Sequence, residues 1–228
     1  LFTLENTYRH ACGMAYTGQP KTVGLKSEIE RTVPYISVTP YPMSVSAFLE
    51  QHPSALQEHH LVLSVLGAPT TELDLNERIW SDARNPPVLF SWLEPLGLGG
   101  HALLTHARRE GGPARGCLEC LYCRYVQGGP LDNQAAFAKP GVTYTRDTLG
   151  CGSRFLPFAD LDAQRTAELA ARLALQVLQG KVAEFQFQSW RGDRRMFEEA
   201  GYSVTENYGL QPSAASYIRD NCPVCATR

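Results

Sequence analysis

Four of the seven cysteines form two short pairs, each with two residues between its members. Cys117 and Cys120 make the first pair, and Cys222 and Cys225 make the second. Two Cys-x-x-Cys pairs suit a tetrahedral zinc site, in which each pair supplies half of the thiolates. A closed four-thiolate site has no open position for water. We therefore expect a structural zinc that holds the C-terminal pair against the middle of the fold.

Other uses of the cysteines stay open at this point. Cys120 and Cys123 also have the Cys-x-x-Cys spacing, and all of these residues could be reduced thiols buried without a metal. Cys151 lies outside both pairs, between Gly150 and Gly152, at the end of a long segment rich in Gly and Pro. Long loops often carry function, so Cys151 is a place to look for chemistry. Its alternative role is that of a small apolar side chain packed at the junction between this loop and the following helix.

The composition is that of an ordinary globular protein, with 43% hydrophobic and 19% charged residues and a formal net charge of -2. This charge gives no general attraction to nucleic acid or to an anionic membrane, and we expect neither as a partner. No apolar run could span a bilayer, and the N-terminus lacks the pattern of a signal peptide. The cysteines therefore indicate a reducing cytoplasm. The chain begins at Leu1 rather than Met, which suggests that it is a fragment.

Helical and strand patterns alternate along the chain, which predicts an α/β fold with a largely parallel sheet and helices on both faces. The predicted helices are 21–31, 45–51, 70–80 and 161–179. The predicted strands are 35–39, 60–66, 87–92 and 181–190. The apolar run at 60–66 favours a central strand, and the apolar positions around 161–179 favour a helix buried between layers. Residues 108–116 and 127–150 read as long loops.

One glycine-rich segment matches a nucleotide-binding pattern only formally. Gly97-Leu-Gly99-Gly-His-Ala102 fits Gly-x-Gly-x-x-Ala, the fingerprint of a dinucleotide-binding turn. Pro95 interrupts the approach, and no convincing helix pattern follows His101. The segment is therefore interpreted as a glycine loop against which another backbone can lie closely.

Several further motifs occur in a characteristic order. They are Glu5-Asn6-Thr-Tyr-Arg9-His10, Gly18-Gln-Pro-Lys21, Leu61-Val-Leu-Ser-Val-Leu-Gly67 followed by Asn76, Trp92-Leu-Glu-Pro-Leu-Gly-Leu-Gly-Gly-His101 and Gly116-Cys-Leu-Glu-Cys-Leu121. With the two cysteine pairs, they resemble the ThiF/MoeB and ubiquitin-activating superfamily. The resemblance is closest to the bacterial ubiquitin-like-activating enzymes of antiphage operons of the CBASS or Bil type.

The resemblance implies a Rossmann-like adenylation domain with ATP, Mg²⁺ and a structural zinc as cofactors. Asn6, Arg9 and Lys21 would belong to the ATP site, and Cys151 falls in the loop that carries the catalytic cysteine of thioester-forming members. The family's magnesium-binding aspartate is replaced by Gly67.

The match covers nearly the whole chain, as a single domain that lacks its first βαβ unit. Residues 1–110 would contain the sheet and the nucleotide-side elements. Residues 111–228 would contain the zinc and catalytic-loop region, the long helix and the C-terminal strands. The glycine-rich phosphate loop of the family is expected in sequence upstream of Leu1.

The implied activity is ATP-dependent adenylation of the C-terminus of a ubiquitin-like protein or target, followed by a thioester on a cysteine. The acyl group would then pass to a conjugating enzyme or domain, and the enzyme would be a homodimer. Two alternatives remain. A sulfur-carrier adenylyltransferase of the ThiF/MoeB type would stop at the acyl-adenylate, and a catalytically inactive, zinc-stapled scaffold would only bind the ubiquitin-like protein.

Overall fold

The computed structural model describes residues 1–105, 116–122, 131–147, 154–182, 185–210 and 212–226. The chain divides into two compact units, Leu1–Ala55 and Leu56–Arg228. Each unit is described separately below. Within the described ranges, no helix combines the length and the apolar character needed to cross a membrane.

The first unit is built from helices. Its elements are two 3₁₀ helices, Leu4–Arg9 and Met14–Tyr16, followed by α1 (Lys21–Thr32) and α2 (Val45–Gln51). Both predicted α-helices are confirmed. Phe2 holds the N-terminal segment in two ways. Its side chain is buried, and its backbone donates a hydrogen bond to the Gln19 carbonyl and accepts one from the Gly18 amide.

The predicted strand at 35–39 is wrong, because side chains of α1 form hydrogen bonds with the backbone of this segment. Tyr35 has a left-handed φ of 64°, which turns the chain after the helix. The Val38 amide donates to Glu30 Oε1 at 2.9 Å, and the Val38 carbonyl accepts from Lys26 Nζ at 2.7 Å. The hydrogen-bonding groups that Val38 would offer to a neighbouring strand are therefore used by the helix.

Four strands of the described residues form the sheet of the second unit, in the order β1, β2, β3, β6. These strands are β1 (Val62–Ser64), β2 (Val88–Leu93), β3 (Gly99–Thr105) and β6 (Gln186–Arg191). A separate pair consists of β4 (Arg146–Asp147) and β5 (Arg154–Phe155). The α/β class is confirmed, with α3 (Pro69–Trp80) connecting the parallel strands β1 and β2.

The expected largely parallel sheet is wrong, because β3 runs antiparallel to both β2 and β6. Residues 94–98 connect β2 to β3, and a parallel pairing needs a crossover of about a dozen residues or more. The short connection therefore forces the chain to turn back. The expected central position of the run at 60–66 is also wrong. Within the described sheet, β1 is a short edge strand, and Leu63 is 57% exposed.

Helices cover both faces of the sheet, as predicted. The long helix α4 (Asp160–Leu178) packs its buried Leu173 in the same apolar cluster as Leu104 of β3. Trp80 of α3 donates its indole N–H to Thr105 Oγ1 at 3.1 Å. Leu104 and Thr105 are adjacent in a strand and therefore point to opposite faces.

The helix α4 is amphipathic rather than buried between layers, which corrects the expectation from its composition. Leu161, Leu175 and Leu178 are each more than half exposed, while Ala170 and Leu173 face the sheet. The remaining helices are α5 (Arg194–Glu199) and the 3₁₀ helices Ala55–Glu58, Pro95–Gly97, Leu118–Leu121, Glu206–Tyr208 and Ala214–Tyr217.

Glycine lets α4 lie close to the middle of the sheet. A Cβ on Gly100 would lie 2.2 Å from Thr166 Oγ1 and 2.5 Å from Trp190 Nε1. These two atoms are hydrogen bonded to each other at 2.8 Å, which joins α4 to β6 directly over Gly100. The segment at 97–102 is therefore part of a 3₁₀ turn and a central strand. It is not an open glycine loop.

Replacing Gly100 with alanine should lower the free energy of unfolding by about 1–3 kcal/mol, since the added methyl group must separate Thr166 from Trp190. Urea unfolding of the wild type and the variant measures this loss of free energy. Gly209→Ala is a matched control in the same unit, because Gly209 has a φ of -86° and its added Cβ would meet nothing closer than 3.7 Å. The control should change stability by less than about 0.5 kcal/mol. Equal losses in both variants would contradict the interpretation.

Candidate functional site

The two cysteine pairs come together in the second unit. Cys117 Sγ lies 3.6 Å from Cys222 Sγ, and Cys120 Sγ lies 3.4 Å from Cys225 Sγ. All four sulfur atoms lie within 4.8 Å of one another and are buried. Zinc–sulfur bonds of about 2.3 Å in a tetrahedron place the sulfur atoms about 3.8 Å apart. The cluster could therefore hold a zinc ion, as the spacing predicts.

Tight turns aim the sulfur atoms at one point. Cys117 precedes the 3₁₀ helix Leu118–Leu121, and the Cys120 amide donates to the Cys117 carbonyl at 3.1 Å. In the second pair, the Ala226 amide donates to the Cys222 carbonyl, also at 3.1 Å. Each pair is therefore presented by a short hydrogen-bonded loop.

The first cysteine turn is attached to α3. The side-chain oxygen of Asn76 accepts a hydrogen bond from the Leu118 amide at 3.1 Å in a fully buried contact. Trp80, one helical turn further along α3, packs in the same apolar cluster as the four cysteines. Burial raises the pKa of the Cys117 thiol, so its thiolate needs a compensating cation. A divalent metal would provide that charge.

A cleft of about 700 Å³ opens at the carboxyl ends of β1 and β2. Residues after β1, the end of β2, both adjoining helices and the first cysteine turn line it, and most of the exposed lining is apolar. In α/β sheets, ligands bind at this edge, beyond the carboxyl ends of parallel strands. No lysine or arginine is among the described residues that line the cleft.

Glu72 of α3 is the buried acid of the cleft, with 6% of its surface exposed. Its Oε1 accepts from Ser64 Oγ at 3.1 Å and from the Leu66 amide at 3.3 Å, which fixes the turn after β1. Burial raises the pKa of Glu72. Burial, followed by the charge of Glu72, also raises the pKa of Tyr122 to about 12. Tyr122 therefore lines the cleft as a neutral phenol.

A second buried acid, Glu94, lies at the end of β2 and also lines the cleft. Its Oε1 accepts from the Phe137 amide at 3.0 Å and lies 2.9 Å from His101 Nε2, while its Oε2 accepts from the Ala138 amide at 3.0 Å. The other ring nitrogen of His101 lies 2.7 Å from Ser189 Oγ. This network was not predicted from the sequence, although Glu94 begins the short connection between β2 and β3 and His101 is the third residue of β3.

The residues expected at the ATP site belong to the first unit. Asn6 Oδ1 accepts a hydrogen bond from the Thr3 amide at 3.2 Å, and Arg9 ends the same 3₁₀ helix. Lys21 is exposed at the first position of α1. Burial, and secondarily the charge of Lys21, lowers the pKa of His10. Lys21 therefore lies close to the Asn6–His10 turn, and the nucleotide contacts themselves stay predictions.

Two cysteines from the sequence analysis lie outside the described residues. They are Cys151, the predicted nucleophile, and Cys123, the alternative zinc ligand. The role of Cys151 therefore stays a prediction. The four described cysteines of the cluster complete a tetrahedral set without Cys123.

No model of a known protein family matches the chain, and no curated protein matches it either. Among solved structures, the fold is similar to that of Escherichia coli MccB, in a crystal structure with MccA-N7isoASN. The TM-score is 0.51 and the sequence identity is 14%. The match covers 83% of this chain and 54% of the MccB chain, so this chain spans about half the length of MccB. At this identity the likeness shows the fold alone, a Rossmann-like α/β architecture.

The cysteine cluster should bind one zinc ion per chain, measurable by elemental analysis of protein purified without chelator. Cys222→Ser should lose the zinc and more than about 3 kcal/mol of stability, because binding energy at a structural site is folding energy. Cys12→Ala is the control, since Cys12 belongs to the first unit, outside the cluster. It should keep the zinc. Wild-type protein without stoichiometric zinc would refute the prediction.

Glu72 should make stability depend on pH in a defined direction. Its folded pKa lies above the ordinary value of 4.5, so its contribution is fully present below that pH and is lost as pH rises through the folded pKa. Glu72→Gln keeps an oxygen that can accept from Ser64 but does not titrate. The unfolding free energy of wild type minus that of the variant should therefore fall as pH rises above 4.5 and through the folded pKa of Glu72. Chemical unfolding at several pH values measures this difference. A difference that stays constant or rises with pH would contradict the raised pKa of Glu72.

Proposed function

We propose that this chain is the later part of an adenylating enzyme of the ThiF/MoeB type, which uses ATP to activate a C-terminal carboxylate. The observation that carries the proposal is the cleft at the carboxyl ends of β1 and β2, in a fold similar to that of MccB. The ordered motifs from Asn6 to Gly116 and the cysteine cluster support it from the sequence side.

In the proposed reaction, the substrate carboxylate attacks the α-phosphorus of ATP. A carboxylate oxygen–phosphorus bond forms, the bond to the leaving oxygen breaks, and pyrophosphate departs. Bound Mg²⁺ would supply charge neutralisation on the phosphates. By the motif resemblance, Arg9 and Lys21 of the first unit are the residues of this chain that would contact the phosphates of ATP. The apolar walls of the cleft would exclude water from the acyl-adenylate, a mixed anhydride that water would hydrolyse.

The more specific proposal is a ubiquitin-like-activating enzyme of a bacterial antiphage system. The Cys151 thiolate would attack the acyl carbon, a carbon–sulfur bond would form, the bond to the phosphate oxygen would break, and AMP would leave. The thioester would then pass to a cysteine of a conjugating enzyme or domain. A ubiquitin-like protein is the proposed substrate, and a cytoplasmic homodimer is the proposed state.

A second candidate is a catalytically inactive scaffold that binds a ubiquitin-like protein. Gly67, in place of the family's aspartate, has a φ of 61°, a conformation that favours glycine, and so the turn after β1 provides no magnesium ligand at that position. The absence of lysine and arginine from the described lining of the cleft also favours this candidate. A third candidate, the sulfur-carrier adenylyltransferase, shares the first reaction step only.

An exchange assay on the natural full-length protein separates these candidates. With its ubiquitin-like partner present, the protein should transfer labelled pyrophosphate into ATP, and deletion of the partner's C-terminal residues should abolish the exchange. Lys21→Ala should slow exchange about a hundredfold by removing charge from the phosphates. Cys151→Ala should leave exchange intact and abolish the reducible thioester band, while the control Gly209→Ala should keep both.

The alternative outcomes have definite meanings. A full-length protein that binds the partner without any exchange would identify the scaffold. Exchange without a thioester in the wild type would identify the sulfur-carrier type. A thioester band that persists in Cys151→Ala would assign the nucleophile to another cysteine, with Cys12 and Cys123 the next to test.

A further inference from the structure

The turn after β1 is closed by a carboxyl group of the chain itself. Glu72 Oε1 accepts hydrogen bonds from Ser64 Oγ at 3.1 Å and from the Leu66 amide at 3.3 Å. The Gly67 amide also donates to this carboxyl group. In α/β proteins, the amides that follow a parallel strand and begin the next helix are a common place for the anionic group of a ligand. In this chain, the side chain of Glu72 takes that place.

Any ligand that fills the cleft must lie near Glu72. This residue lines the cleft of about 700 Å³, and a sphere of that volume is only about 11 Å across. Between apolar walls, charges at such distances interact more strongly than they do in water. Glu72 therefore acts through its charge and does not have to touch the ligand. An anionic group beside it would meet a like charge, and it would find the nearby donors already used.

Apolar side chains around the same turn are left uncovered. Val65, Leu66 and Leu131 line the cleft, and they are 69%, 50% and 42% exposed. An apolar group that entered the cleft would remove part of this surface from water, and the free energy gained would grow with the area covered. This end of the cleft therefore favours apolar groups and disfavours anions.

We infer that the end of the cleft beside Glu72 receives an uncharged apolar side chain of the substrate, and that Glu72 excludes acidic side chains from it. The inference rests on the proposed function, which makes the substrate a polypeptide with a C-terminal carboxylate. It adds a rule for the residues that precede this carboxylate. It also orients the substrate, because the reacting carboxylate and the phosphates of ATP are anionic and must lie away from the turn after β1.

Two dyes of similar shape test the cleft without any assumption about the reaction. N-phenyl-1-naphthylamine is uncharged, and 1-anilinonaphthalene-8-sulfonate has the same aromatic rings with an added sulfonate. Burial raises the pKa of Glu72, so fluorescence titrations of the zinc-loaded chain are made at about pH 8.5, where the ionised form is favoured. Glu72→Gln should strengthen binding of the sulfonate dye about tenfold and change binding of the uncharged dye less than about threefold. Equal changes for the two dyes, or no change for either, would overturn the inference.

Two substitutions on α4 verify that the dyes occupy the cleft. Ala167 is exposed and lines the cleft, so Ala167→Phe should fill part of it and weaken binding of the uncharged dye about tenfold. Gln176 is exposed and is not among the residues that line the cleft. Gln176→Phe is therefore the control, because it adds the same ring to the same helix elsewhere, and it should bind the dyes as the wild type does. An uncharged dye that binds both variants equally well would contradict the selectivity assigned to the cleft.

The natural full-length protein tests the rule on the substrate. Ubiquitin-like partners are prepared with glutamate or with glutamine at each of the last few positions before the C-terminal residue, and pyrophosphate exchange is measured for each pair. At one or more positions, the glutamate form should be at least about tenfold less efficient than the glutamine form, and Glu72→Gln should remove most of that difference.

The outcomes separate this inference from the proposed function. A difference between the two partner forms that is absent, or that persists in Glu72→Gln, would refute the role of Glu72 even if exchange is fast. Loss of exchange with every partner, while the two dyes still respond differently to Glu72→Gln, would refute adenylation and would support the charge selectivity of the cleft.

Discussion

The carboxylate of Glu94 is buried where β2 ends, and it accepts hydrogen bonds from the amides of Phe137 and Ala138 beside its contact with His101. A buried carboxylate is tolerated only where such partners replace water. The three contacts join the central strand β3 to the segment that runs on to the isolated bridge between Ala138 and Val204. The Glu94 side chain therefore fixes one wall of the cleft, beside the hydrogen bonds that join residues 134–139 to residues 203–207.

Around this carboxylate, packing leaves no room for added side-chain atoms. A Cβ on Gly99 would lie 2.8 Å from the Phe137 ring, and a Cβ on Gly192 would lie 1.8 Å from the Gly97 carbonyl oxygen. The glycines are therefore required by close approach within the chain. They do not indicate a nucleotide turn, and the formal dinucleotide fingerprint at 97–102 is explained by tertiary packing.

Local signals in the sequence were enough for the helices α1 to α4 and for the cysteine cluster, whereas α5 was not predicted. Periodicity located α1, α3 and α4 to within a residue or two, and spacing alone identified the four cysteines that meet. The strand β3 was missed because its glycines lower strand propensity, and their reason lies in the distant Thr166 and Phe137. The prediction of a strand at 35–39 was wrong for a similar reason. Hydrogen bonds from side chains of α1 use the backbone groups of Val38 that a neighbouring strand would need.

The contacts that produce the candidate site were even less visible in the sequence. Glu72 and Glu94 have no periodic signature, and only the fold shows that both are buried beside one cleft. The roles of Asn6, Arg9, Lys21 and Cys151 depend on motif resemblance, which specifies residue types in order but not their distances.

The cysteine cluster has a consequence for how the protein is made. The paired sulfur atoms of Cys117 and Cys222, like those of Cys120 and Cys225, are separated by 105 residues in the chain. At synthesis rates of about 5–20 residues per second, the first two thiols leave the ribosome roughly 5–20 s before the second two exist. During that interval a metal ion can find only half of its ligands. The cluster can therefore close only after the second pair has been synthesised, and the growing chain presents an open dithiol to the cell until then.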